Sequence, residues 1–114
     1  MALPVFDDGL EDAEMDEMME NARQATNFLK ALSHEGRLMI LCHLASGEKS
    51  VTELEELLSA RQAAVSQQLA RLRLEGLVRQ RRDGKAIFYR LSDDRAKRII
   101  EVVYDMFCKQ KSEA

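Results

Sequence analysis

Cysteine is scarce in this 114-residue chain, with only Cys42 and Cys108 present. They do not form a Cys-x-x-Cys pair, which argues against a dithiol oxidoreductase. No glycine-rich phosphate loop is present, and no nucleophile stands with a base in a recognisable pattern. The chain is therefore not expected to be an enzyme, and no cofactor is expected. No apolar run approaches the roughly 20 residues a membrane span needs. The first residues, M-A-L-P-V-F-D-D-G-L-E-D, lack the basic start and long apolar core of a secretory signal. A cytoplasmic protein without membrane contact is expected, with both thiols reduced. Basic side chains are missing from residues 1–20, which carry eight acids. Within them, residues 1–12 hold Pro4 and Gly9 without periodicity and read as a flexible acidic arm. Residues 13–114 are then one domain.

The overall charge of −3 conceals an uneven distribution. Residues 61–98 hold eleven basic and four acidic side chains, the electrostatic pattern of a nucleic-acid face. Within that region lies R-Q-A-A-V-S-Q-Q-L-A-R-L-R-L-E-G, residues 61–76. Val65, Leu69 and Leu72 fall on one face of a helix. Gln62, Ala63, Ser66, Gln67, Gln68 and Arg71 are the candidate DNA-contacting residues. Gln and Ser donate and accept hydrogen bonds and suit base edges, whereas Arg71 suits phosphates.

The preceding S-V-T-E at 50–53 has capping-box spacing and predicts a helix from Ser50 to about Leu58, with Leu54, Leu57 and Leu58 facing the core. Two short helices joined by a tight turn, the second polar outside, make a helix-turn-helix. Gly76 ends the second helix. In L-V-R-Q-R-R-D-G-K-A-I-F-Y-R-L (77–91), Asp83-Gly84 signals a hairpin turn. Arg81, Arg82 and Lys85 load this two-stranded ribbon with charge, as in a wing that touches DNA. An edge hairpin protected by charge is the plain alternative.

A first helix is predicted over 13–32, with Met15, Ala22, Leu29 and Met18, Ala25, Leu32 forming a seam for another helix, in the same chain or a second subunit. A second helix is predicted from Ser33 as N-cap to about Gly47. Ser92 is expected to cap a last helix whose apolar face includes Ala96, Ile99, Ile100, Val103, Met106 and Phe107. The fold class is mainly α with a small β-hairpin, in the order α-α-α-α-β-β-α.

Three patterns give this order a family likeness. A-L-S-H-E-G-R-L-M-I-L (31–41), V-S-Q-Q-L-A-R-L (65–72) and the hairpin at 77–91 resemble the corresponding segments of ArsR/SmtB-family winged-helix repressors. Gln68 stands where that family often has His, and Glu35-Gly36 replaces the more usual Pro-Thr. The resemblance implies a homodimer that binds double-stranded operator DNA and leaves it when an inducer binds. The family's metal sites are missing ligands here, because T-E-L-E-E-L-L-S (52–59) has no Cys or His and the last helix has no His. The placement of Cys42 and Cys108 resembles the persulfide-sensing SqrR/BigR-type branch. That likeness implies that persulfides link the two cysteines by a disulfide or polysulfide bridge, derepressing sulfide-detoxification genes. Two unrelated core thiols are the plain reading, since free Cys packs as a small hydrophobe. Other readings are a thiophilic-metal or arsenite sensor, with a third ligand such as His43 or His34, and a constitutive DNA-binding or interaction module.

Overall fold

A computed structural model describes residues 11–60, 62–92 and 94–109. Five α-helices and three strands occur among them: α1 Asp12–Leu32, α2 Glu35–Ala45, β1 Lys49–Ser50, α3 Val51–Leu58, α4 Gln62–Leu74, β2 Val78–Asp83, β3 Ala86–Leu91 and α5 Asp94–Tyr104. A π-helical turn, Asp105–Lys109, continues α5. Most of the proposed acidic arm lies outside the described residues, and Asp12 already belongs to α1.

Local chemistry fixes the helix ends. Ser50 and Glu53 form both bonds of the capping box, Glu53 N–H to Ser50 Oγ at 3.1 Å and Ser50 N–H to Glu53 Oε1 at 3.0 Å. The helix α4 closes on Gly76 at φ +76°. There Leu77 N–H donates to Leu72 O at 2.9 Å and Gly76 N–H to Arg73 O at 3.0 Å, the paired bonds of a Schellman ending. The turn between α3 and α4 passes through Ser59 at φ +51°.

Five expectations need correction. The N-cap of α2 is His34 rather than Ser33, because His34 Nδ1 accepts the Gly36 N–H at 3.0 Å. Leu57 is 49% exposed, so only Leu54 and Leu58 of its trio pack inward. Asp83 is the last residue of β2, and the two-residue loop is Gly84-Lys85, set by the Asp83↔Ala86 pairing. The hairpin also gains a third strand: β1 pairs with β3, giving the order β1-β3-β2. Finally, Ser92 does not begin α5 as its cap. Its hydroxyl donates to Gly76 O and its N–H to Leu77 O at 3.0 Å, tying the end of β3 to the turn before β2. Asp93 lies outside the described residues.

The core gathers Ile40, Leu41 and Leu44 of α2, Leu54 of α3, Val65, Leu69 and Leu72 of α4, and Ala96 and Ile100 of α5. Thus α2 sits at the centre, with α4 on one side and α5 on another. The first helix behaves differently. Only Ala31 and Leu32 are buried along it, while Met15, Met19 and Leu29 are exposed. Among the described residues its seam is therefore packed only at its Leu32 end. At the other end, Met106 and Phe107 are 55% and 61% exposed, so the apolar face of α5 is packed only in its first half.

Candidate nucleic-acid interface and thiol groove

Val65, Leu69 and Leu72 anchor α4 in the core at 2% exposure or less. That anchoring turns Ser66, Gln67, Ala70 and Arg71 outward. The side chains of Gln62 and Ala63 lie outside the described residues. Arg71 pairs with Glu75 one turn on, at 3.4 Å, an exposed contact that a phosphate can replace at little cost. Gln68 is placed differently. It is half-buried against α2, with Oε1 3.4 Å from Arg37 Nη1 and Nε2 3.5 Å from His34 Nε2.

The wing residues divide in the same way. Arg82 and Lys85 are exposed at the hairpin end. Arg81 instead grips Glu48, with Nε 3.0 Å from both carboxylate oxygens and Nη2 2.6 Å from Oε1. It also lies over the Phe88 ring at 4.6 Å. These contacts hold the carboxyl of Glu48 below its ordinary range, through the Arg81 hydrogen bonds first. Arg81 thus pins the wing to the segment after α2. Sequence spacing carried no signal for this, because the partners are 33 positions apart.

The helix α2 packs against α5. Cys42 is on α2, and Cys108 is on the π-helical turn after α5; both are exposed and unbridged. A groove of about 550 Å³, mostly apolar, runs beside Cys42 between Ala45 of α2 and Ile100, Tyr104 and Asp105 of the last helix and its turn. Burial of its inner side pushes the Cys42 thiol up, and the neighbouring Cys108 thiol adds to the rise. His34 lies eight residues before Cys42 on α2, about 12 Å along the axis. Among the described residues no three His, Cys, Asp or Glu side chains gather as a metal-binding group.

Comparison with known proteins places this geometry. Residues 34–80 match the description "Bacterial regulatory protein, arsR family". The chain is also 50% identical to the biofilm growth-associated repressor of Agrobacterium fabrum, over 80% of this chain and 78% of that one. The chain belongs to the ArsR family. Reduced HlyU from Vibrio cholerae has the same fold, with TM-score 0.79 and 43% identity, covering 82% of this chain and 98% of that one. A homodimeric winged helix-turn-helix domain from Mycobacterium bovis, described as a possible ArsR-family regulator, matches with TM-score 0.74 and 26% identity, over 95% and 96% of the two chains. This ArsR-family chain is a winged helix-turn-helix transcriptional regulator. No helix among its described residues is long and apolar enough to cross a membrane.

Proposed function

We propose that this regulator is a cytoplasmic homodimeric repressor that holds operator DNA while Cys42 and Cys108 are thiols. Reactive sulfur species release it by joining them, which derepresses genes for sulfide detoxification. The observation that carries this reading is that both thiols are exposed, Cys42 beside the groove between α2 and α5 and Cys108 on the turn that continues α5, with Cys108 adding to the rise of the Cys42 thiol. A relative with the repressor name and another described in its reduced form are consistent with it. The exposed apolar faces of α1 and α5 suit a second copy of the chain. Ser66, Gln67 and Arg71 of α4, with Gln62 and Ala63, would meet the major groove, and Arg82 and Lys85 the flanking backbone.

The chemistry balances without a further oxidant. One cysteine thiolate attacks the outer sulfur of RS–SH, forming Cys–S–SH and expelling RS⁻, which is protonated. The second thiolate attacks the sulfur of the first cysteine, forming the S–S bond and expelling HS⁻. The two thiols are oxidised, and the persulfide is reduced to a thiol and hydrogen sulfide. If both cysteines carry an added sulfur, the same displacement leaves a trisulfide.

The helix α2 is the element through which such a bridge would act. At its start, Arg37 reaches Gln68 on α4; beyond its end, Glu48 holds Arg81 of the wing. Closing the loop from 42 to 108 supplies up to about 4 kcal/mol in the chain-entropy model. Regulatory coupling typically needs about 1–3 kcal/mol. Only the share that differs between DNA-binding and released shapes counts, so a fraction is enough.

Peptide mapping of persulfide-treated protein tests the chemistry. The expected product is one chain with Cys42 and Cys108 joined through zero or more added sulfurs. Modification of neither cysteine contradicts the sensing role.

A further inference from the structure

The start of α2 contains a hydrogen-bond conflict. His34 Nδ1 accepts the Gly36 N–H at 3.0 Å, so in neutral imidazole the proton resides on Nε2. That Nε2–H faces the amide nitrogen of Gln68, 3.5 Å away. Both groups are donors. Turning the Gln68 amide over does not help, because its other end meets Arg37 Nη1 at 3.4 Å, and a guanidinium only donates. Arg37 is itself held in place. Its Nε donates to Ala31 O at 2.7 Å and its Nη2 to Lys30 O at 3.2 Å, closing the last carbonyls of α1. Moving the imidazole proton to Nδ1 would relieve the 3.5 Å contact but lose the shorter capping bond.

Two donors thus converge on one space, and among the described residues neither proton has an acceptor. His34 is exposed and Gln68 half-buried, so the space opens to solvent. Gln68 follows the exposed Gln67 and lies one turn before Arg71 on the flank of α4. When that helix enters a groove, its flank meets the sugar-phosphate backbone, whose free oxygens only accept.

We propose that His34 and Gln68 together hold one DNA phosphate in each half-site, with Arg37 as the positioning residue that fixes the amide. This rests on the reading of the chain as an operator-binding protein. His34 then has two roles, one nitrogen capping α2 and the other contacting DNA.

The test uses a duplex selected from a random pool by the reduced protein, with single methylphosphonate substitutions along its backbone. His34→Asn keeps a cap acceptor for Gly36 but cannot reach Gln68 with a second donor. Gln68→Met keeps the length and loses the amide. Each variant should bind selected and random duplexes about tenfold more weakly, with an unchanged salt slope, because a neutral donor displaces no counterion. At one phosphate per half-site, methylphosphonate should weaken wild type and leave both variants unaffected. Wild-type affinity in His34→Asn, or losses that coincide with no single phosphate, would overturn the proposal. Failure of the wild-type protein to select any duplex would instead remove the DNA-binding reading beneath it.

Discussion

Cys42 illustrates how position tunes a single side chain. Its thiol is raised above the ordinary value of 9.0, by burial first and then by Cys108. The folded chain therefore holds this proton more tightly than the unfolded chain does. The stabilisation is complete below the ordinary value and is lost as pH climbs through the raised one. Alkylation of Cys42 should show a pH midpoint above that of a free cysteine thiol, falling toward it in Cys108→Ser. A midpoint that ignores Cys108 would mean that the thiols do not sense each other. The sequence displayed both cysteines, but the proposal that they pair came only through family likeness, since 42 and 108 share no local pattern. Arg81 and Gln68 were legible as polar surface, not as residues turned to Glu48 and Arg37. Charge and periodicity locate a side chain on a face, whereas its partner is chosen by the fold.

Elements with internal signals were the easiest to foresee. The box of Ser50 and Glu53 marked the start of α3, Gly76 the end of α4, and the heptad-like spacing the length of α1. Strand β1 escaped because two residues carry no alternation, and its existence depends on β3, some 40 residues on. The start of α2 was misplaced because an imidazole capped it where a serine stood one residue earlier. Ser50→Ala should lower stability by about 1 kcal/mol, seen as a lower denaturant midpoint with an unchanged slope. It should also weaken operator binding, since α3 supports α4. An unchanged midpoint would show that tertiary packing alone sets this helix end.

In the whole molecule, α2 joins the proposed sensing thiol to the helix proposed to read DNA. It carries Cys42, forms the centre of the core, and reaches α4 and the wing through Arg37 and Glu48. The dimensions of 56 × 39 × 20 Å describe a flattened chain with α1 largely uncovered. Two copies joined through α1 and α5 would set the spacing of two reading helices, which matches a palindromic operator. A bridge on α2 would alter that spacing in both copies at once. The most direct measurement is an operator-release titration with persulfide, run in parallel with hydrogen peroxide, Zn²⁺ and arsenite on wild type and Cys42→Ser. Wild type should leave the DNA as the Cys42–Cys108 bridge accumulates, and Cys42→Ser should stay bound at every persulfide concentration. Release of Cys42→Ser at the wild-type concentration, or release of wild type by a metal alone, would contradict sulfur sensing through this pair.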